Sequence, residues 1–216
     1  LRSTILFFTN LGKVYRLKAY QIPEASRTAK GINIINMLPI EAGEKIQTLI
    51  KIKEFTKNYY LMMVTKNGKT KKTSLEKYSS IRKNGLNAIT LEEDDELIQV
   101  KMTPGDANII IVTQKGYSIV FNEKDVRTMG RTARGVRGIT LRGDDIVVSM
   151  DLSVEGEDLL TISENGFGKR TPVSEYPIHK RGGKGIITYR VSEKTGKIIG
   201  ARVVKRSEER RVGKEC

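Results

Sequence analysis

The chain has 216 residues, with 39 Lys and Arg against 25 Asp and Glu, which gives a formal net charge of +14. One Cys and one His exclude a disulfide framework and a zinc site built from Cys and His. No apolar run approaches the ~18 residues that cross a membrane. We therefore expect a globular protein of a reducing compartment, whose basic surface favours a polyanionic partner.

In chain order, the first repeated feature is a glycine turn between an apolar run and an alternating segment. It occurs in TNLGKVYRL (9–17), TKNGKTKKT (65–73), TQKGYSIVF (113–121) and SENGFGKRT (163–171). A glycine turn between two such runs is typical of a β-hairpin, because glycine accepts the positive φ of tight hairpin turns. The sequence therefore predicts four hairpins.

Two further features follow every hairpin. A basic, glycine-containing segment occupies residues 29–37, 83–91, 133–141 and 183–191, and an apolar segment occupies residues 43–52, 94–102, 144–152 and 196–204. Both are predicted to be strands, which makes four strands per unit, and single helical turns are predicted at Ser74–Tyr78, Glu123–Val126 and Pro172–Tyr176. Four-stranded units with a period of ~50 residues are typical of propeller blades. We predict an all-β, propeller-like chain with blades at about 1–54, 55–104, 105–153 and 154–205.

The candidate binding residues are Lys and Arg side chains that recur in the basic segment of every unit. DNA binding without sequence readout needs such side chains spaced along a surface that follows the phosphates. They are Arg27, Lys30, Arg82, Lys83, Arg127, Arg131, Arg134, Arg137, Lys180, Arg181 and Lys184. We expect the neighbouring glycines to let phosphates approach the backbone. Bases near the hairpin turns either extend this track or protect strand edges from pairing: Lys13, Arg16, Lys69, Lys71, Lys72, Lys169 and Arg170.

Nothing in the sequence indicates a catalytic, metal or cofactor site. Gly68-Lys69-Thr70 resembles the end of a P-loop, but Met63 stands where that motif requires glycine, and a strand is predicted to follow instead of a helix. The acidic run at 92–96 has no fixed ligand spacing and is interpreted as a solvated turn. His179 lacks a partner pattern for general-base catalysis.

Three strings carry a specific resemblance to a known family. GRTARGVRGITLR (130–142), NGFGKRTPVSEYPIHKRGGKGI (165–186) and YQIPEASRTAKGINIINMLPIEAGEKI (20–46) resemble the C-terminal domains of bacterial DNA gyrase A proteins. The resemblance extends over about residues 1–205. It implies a six-bladed β-pinwheel, whose blades exchange strands with their neighbours, and the four repeats resemble its second to fifth blades. We therefore expect the chain to begin and end inside a longer protein.

The resemblance also implies a function and partners. Domains of this family bind duplex DNA around the blade rim and bend it, within a bacterial, cytoplasmic, nucleoid-associated type II topoisomerase that introduces negative supercoils. The implied partners are duplex DNA, the rest of gyrase A, and gyrase B, in an assembly of two copies of each protein. ATP and Mg²⁺ are expected on parts of the enzyme other than this chain, and no membrane is involved.

Two motifs depart from the family pattern. His179–Gly185 resembles the family's Gln-Arg-Arg-Gly-Gly-Lys-Gly box, with His179 in place of Gln and Lys180 in place of Arg, and is interpreted as a degenerate copy. RSEERRVGKEC (206–216) matches a translated sequencing adaptor and is expected to be non-native. Two other functions stay open: the equivalent domain of topoisomerase IV, which a complete box upstream would exclude, and a propeller that binds proteins.

Overall fold

The structure, a computed structural model, describes residues 3–205. The proposed adaptor tail at 206–216 lies outside these residues. Residues 3–205 form fifteen strands, which are β1 (Thr4–Thr9), β2 (Lys13–Lys18), β3 (Ile46–Ile52), β4 (Tyr60–Thr65), β5 (Lys69–Ser74), β6 (Leu86–Asn87), β7 (Leu97–Thr103), β8 (Asn108–Thr113), β9 (Tyr117–Asn122), β10 (Val136–Arg137), β11 (Val147–Ser153), β12 (Asp158–Ser163), β13 (Gly168–Pro172), β14 (Ile186–Ile187) and β15 (Ile198–Val204).

The strands form four antiparallel sheets, which confirms the all-β, propeller-like prediction. Their orders are β3-β1-β2-β6, β7-β4-β5-β10, β11-β8-β9-β14 and β15-β12-β13. The four predicted hairpins are β1–β2, β4–β5, β8–β9 and β12–β13, and their turn glycines have φ between 77° and 89°. The described residues form five 3-10 turns. Leu75–Tyr78, Glu123–Asp125 and Val173–Glu175 coincide with the predicted single turns, and the other two are Ala19–Gln21 and Ile34–Asn36.

The fourth strand of each complete sheet comes from the next repeat. β6 pairs with β2, β10 with β5 and β14 with β9, each over two residues. The basic segment of one repeat therefore lies on the outer strand of the repeat before it. This strand exchange joins the four sheets into one series.

The first and last repeats differ from the predicted four strands. Residues 29–37 contain the 3-10 turn Ile34–Asn36 and no strand, and the fourth sheet has three strands among the described residues. A strand requires a neighbouring strand as its hydrogen-bond partner. Residues 3–205 supply such a partner to the basic segments of the second, third and fourth repeats, but not to that of the first.

The core lies between neighbouring sheets, and strand alternation divides its residues. In β8, Ile109 and Ile111 pack against the second sheet, while Ile110 and Val112 pack towards the fourth. Because successive side chains point to opposite faces, a strand buried on both faces must be apolar throughout. This explains the unbroken Ile-Ile-Ile-Val run of β8.

One strand of each sheet faces a common central cavity. β3, β7, β11 and β15 line this cavity, whose volume is about 630 Å³. Lys101 and Asp151 form an ion pair on its wall, with 3.5 Å between Nζ and Oδ1. In every sheet, the second strand of the hairpin lies towards the edge away from this cavity. In the three complete sheets, the short strand of a basic segment forms that edge. Within residues 3–205, the structure has no helix long and apolar enough to cross a membrane.

Candidate nucleic-acid interface

The predicted basic residues of three repeats lie on loops at the seams between neighbouring sheets. We define the first, second and third seam loops as residues 79–87, 127–137 and 177–187, which end in β6, β10 and β14. Each two-residue strand fixes the end of its loop on the outer strand of the preceding sheet. Strand exchange therefore places the bases of each loop next to the neighbouring repeat.

Glycine is required where the seam loops meet that neighbouring strand. Gly135 has a φ of 88°, and a Cβ there would lie 2.4 Å from the carbonyl oxygen of Thr70. A Cβ at Gly185 would lie 2.3 Å from the carbonyl oxygen of Ser118. The structure therefore gives Gly135 and Gly185 a packing role, and phosphate access at the loop glycines stays a prediction.

Two of the predicted DNA-binding arginines connect consecutive loops. Arg131 Nη1 donates a hydrogen bond of 2.6 Å to the carbonyl oxygen of Asn87. Arg181, at the equivalent position, donates to the carbonyl oxygens of Asp125 at 2.9 Å and Arg137 at 3.1 Å. Both side chains are half-buried. Arg131 therefore connects the second seam loop to the first, and Arg181 connects the third to the second.

A second contact repeats at the same two junctions. Thr90 Oγ1 donates to the carbonyl oxygen of Thr132, and Thr140 Oγ1 donates to that of Gly182, each at 2.6 Å. The two threonines occupy the same position in successive repeats. Because both contacts recur, the three basic loops form one connected surface.

The other nine predicted residues are exposed. They are Arg27, Lys30, Arg82, Lys83, Arg127, Arg134, Arg137, Lys180 and Lys184. Arg27 and Lys30 stand apart, because their loop (22–33) is exposed and pairs with no strand among the described residues. The structure thus brings together the bases of the second to fourth repeats, but not those of the first.

A buried lysine supports the second seam loop from below. Lys71 has 0% relative exposure, and its Nζ donates to the carbonyl oxygen of Arg131 at 2.7 Å and the hydroxyl of Tyr78 at 3.2 Å. Burial, together with the charge of Arg131, lowers the pKa of Lys71 to about 7. Sequence analysis left Lys71 open as a track or edge residue, whereas here its amine is enclosed under the loop.

Each hairpin turn contacts the turn that precedes the last strand of its own repeat. In the first two repeats the contact is an ion pair, Lys13 with Glu41 and Lys69 with Glu92. In the third repeat, Lys115 forms an ion pair with Asp144, and Arg142 also stacks on Tyr117, with 3.8 Å from Cζ to the ring centre. In the fourth repeat, Lys194 lies over Phe167. In the last two repeats, a cation on an aromatic ring thus adds positive charge to this contact.

Arg142 is a surface base that sequence analysis missed. Its Nη1 also donates to the carbonyl oxygen of Lys184 at 2.6 Å, so it joins the third seam loop. Alignment of the repeats could have revealed this base, because Arg142 occupies the position that Glu92 holds in the preceding repeat.

Two site types considered in the sequence, a metal cluster and a P-loop at Gly68, can be compared with the structure of the described residues. Within residues 3–205, no group of three or more His, Cys, Asp or Glu side chains could hold a metal ion. Gly68 lies in the turn between β4 and β5, and a Cβ there would lie 2.7 Å from the carbonyl oxygen of Ile139. That backbone is covered by a neighbouring repeat.

Comparisons with known proteins identify the family. The family model described as "DNA gyrase C-terminal domain, beta-propeller" matches residues 3–53, 59–104, 107–153 and 157–205. The DNA gyrase A protein of Clostridium acetobutylicum is 57% identical over 207 residues, which are 96% of this chain and 25% of that protein. The chain thus spans about a quarter of the length of this curated relative.

Solved structures agree with this match. A crystal structure of the C-terminal domain of DNA topoisomerase IV superposes with a TM-score of 0.86 at 30% identity, covering 94% of this chain and 64% of that one. A DNA gyrase A C-terminal domain superposes with a TM-score of 0.81 at 29% identity, covering 94% and 66%. The chain belongs to the family of DNA gyrase C-terminal, beta-propeller domains.

Proposed function

We propose that this chain binds duplex DNA through its phosphates, without sequence readout, and bends it along the seam loops. The observation that carries the proposal is the connection of three consecutive basic loops by Arg131 and Arg181. A connected row of bases holds charges at fixed spacing along a surface, which phosphate contacts require. The formal charge of +14 supplies a long-range attraction for the same partner.

At the level of the whole protein, we propose that the chain is part of gyrase A. Its partners would be duplex DNA, the remainder of gyrase A, and gyrase B. The activity of the whole enzyme would be ATP-dependent negative supercoiling, in the bacterial cytoplasm at the nucleoid. In this assignment the chain contributes binding and bending, while ATP and Mg²⁺ act elsewhere in the enzyme. Its four blades would span about 1–54, 55–104, 105–153 and 154–205, and residues 206–216 would be a non-native tail.

A second candidate is the corresponding domain of topoisomerase IV. The topoisomerase IV domain superposes at least as well as the gyrase domain, with TM-scores of 0.86 and 0.81. The sequence identities of 57% and 50% to gyrase A proteins favour gyrase. The coding sequence upstream distinguishes the two, because a complete Gln-Arg-Arg-Gly-Gly-Lys-Gly box in the preceding blade is the gyrase feature.

The salt dependence of DNA affinity tests the proposal. If about half of the eleven predicted bases meet phosphates, the slope of log K against log salt is about −5, at about −0.9 per contact. Fluorescence anisotropy with two unrelated duplexes of equal length measures this slope and the sequence preference together. A slope shallower than about −2, or strong preference for one duplex, would contradict phosphate-mediated binding.

A further inference from the structure

A cleft between the first and second repeats concentrates positive charge. It has a volume of about 570 Å³ and lies between β2, residues 37–39 and the first seam loop. Among the described residues that line it, four are basic and none is acidic. The basic residues are Arg16, Lys18, Arg82 and Lys83.

The floor of the cleft is apolar. Leu17, Leu38 and Ile81 line it and are each buried. An apolar wall lowers the local dielectric, so an anion in the cleft is attracted more strongly than on an open surface. The volume is within the range of ordinary ligand sites. The cleft therefore has both the charge and the shape to hold an anionic group.

The four bases keep donors free for such a group. Arg16 Nη1 donates to the carbonyl oxygen of Ser79 at 3.2 Å, which uses one of five N–H donors. Lys18 Nζ donates to Thr4 Oγ1 at 3.0 Å and keeps two donors. Within residues 3–205, none of the four bases lies within 4.0 Å of a carboxylate. Their charges are not neutralised by an ion pair within the described chain.

This arrangement is specific to the first seam. Counted from the turn glycine of each hairpin, the positions of Arg16 and Lys18 hold Lys72 and Ser74 at the second seam, and Val120 and Asn122 at the third. Lys72 is buried, and its Nζ donates to the carbonyl oxygen of Glu123 at 2.9 Å. The repeat alone therefore does not produce an open cleft with four bases.

We propose that this cleft is a phosphate-binding subsite, in which Arg16 and Lys18 act with Arg82 and Lys83 on backbone phosphates of the bound duplex. This inference rests on the proposed DNA-binding function and adds Arg16 and Lys18 to it. The planar guanidinium of an arginine can donate two parallel hydrogen bonds to one phosphate, while the lysines act as point charges. The subsite fixes one end of the duplex path at the first seam.

Two charge-matched variants of the whole chain test the subsite. Arg16→Gln with Lys18→Gln removes two charges from the cleft, and Lys45→Gln with Lys57→Gln removes two exposed charges outside it. The cleft variant is expected to bind duplex DNA with a salt slope shallower by about 1 to 2, at about 0.9 per lost phosphate contact. The control variant should keep the wild-type slope to within about 0.5.

Additional measurements separate a lost phosphate contact from misfolding and from binding of a free anion. Thermal unfolding by circular dichroism establishes that both variants are folded, and Arg16→Lys with Lys18→Arg should restore the slope because it keeps the charges. Titration with inorganic tripolyphosphate tests a free anion as the ligand. Saturable tripolyphosphate binding that only the cleft variant loses, with an unchanged DNA slope, would assign the cleft to a free phosphate compound and overturn the proposal.

The outcomes separate the two proposals. Equal slopes for the cleft variant, the control and the wild type, with normal DNA binding, would overturn the subsite alone. If the wild-type chain itself bound DNA without a steep salt dependence, the proposed function would fail, and the subsite with it.

Discussion

Lys71 is fully buried in the folded protein, and this burial disfavours the charged form of its amine. Its amine is buried between β5 and the second seam loop and donates to Arg131 and Tyr78. Tyr78 and Arg131 are the titratable groups facing it, and burial lowers its pKa to about 7. The unfolded chain therefore holds a proton on Lys71 at pH values where the folded chain does not.

This difference predicts the pH dependence of stability. Between pH 7 and the ordinary lysine pKa of 10.5, the free energy of unfolding should rise with pH, by up to about 1.4 kcal/mol per unit from Lys71 alone. Below pH 7 both states are protonated and the contribution is constant. Lys71→Met removes this rise, so urea unfolding of wild type and variant from pH 6 to 9.5 should show a difference that changes only above pH 7. Parallel curves would contradict the buried, neutralised amine.

The upper pH limit follows from two tyrosines. Burial raises the pKa of both Tyr15 and Tyr78 above the ordinary tyrosine value. Near pH 10 the unfolded chain therefore loses tyrosine protons that the folded chain keeps, and stability falls. Burial also lowers the pKa of Lys72, so below this range it is the comparison of wild type with Lys71→Met that separates the contribution of Lys71.

Arg131 and Arg134 should have separable effects, although they are three residues apart. Arg131→Gln removes the hydrogen bond to Asn87 and should lower the free energy of unfolding by about 0.5–1 kcal/mol, since the bond is exposed. Arg134→Gln should leave stability unchanged and make the DNA salt slope shallower by about 0.9. Urea unfolding and anisotropy on both variants check this, and the reverse pattern would contradict the connecting role of Arg131.

At the scale of elements, the two-residue strands hold the repeats together. β6, β10 and β14 are too short to be stable alone, so their position depends on close contact with the neighbouring outer strand. Gly135 provides this contact for β10. A side chain at this position would separate the second seam loop from β5.

A matched pair of glycine substitutions measures that contact. Gly43 has a φ of 80°, and a Cβ there would meet nothing within 4 Å beyond the adjacent residues, whereas Gly135 has a φ of 88° and a Cβ there would lie 2.4 Å from a backbone oxygen. Gly43→Ala should cost about 1–2 kcal/mol for the left-handed backbone alone. Gly135→Ala should cost about 1–3 kcal/mol more, from overpacking. Equal losses in urea unfolding would contradict the role of Gly135 in the seam.

Local sequence signals predict the hairpins, but not the contacts between repeats. The turn glycines and apolar runs predicted all four hairpins, because these are local signals. The contacts of Arg131, Arg181 and Lys71 depend on which loop of the next repeat covers which strand, and single residues do not report this. Alignment of the repeats gives a partial signal for Arg131. The equivalent residue of the preceding repeat is the apolar Ile81, which indicates a position that faces the protein, and Ile81 is buried in the structure.

At the scale of the molecule, the seam loops follow one another along the series of sheets. Three loops are connected in order, and the first seam adds the cleft of Arg16 and Lys18. A duplex that follows all of them must bend. Smooth bending of a 20–30 bp site by 40–90° costs on the order of 1–6 kcal/mol, which contacts at several seams must offset.

The central claim is that the seam loops act as one continuous track, and the bend angle of bound DNA tests it most directly. Two charge-matched variants, Arg134→Gln with Arg137→Gln in the second seam loop and Arg27→Gln with Lys30→Gln in the separate first loop, are compared at saturating protein. Energy transfer between dyes at the duplex ends reports the bend independently of affinity. We expect the seam-loop variant to straighten the DNA and the first-loop variant to bend it nearly as wild type does. Equal bend angles for the two variants would contradict the continuous track and leave the loops as independent contacts.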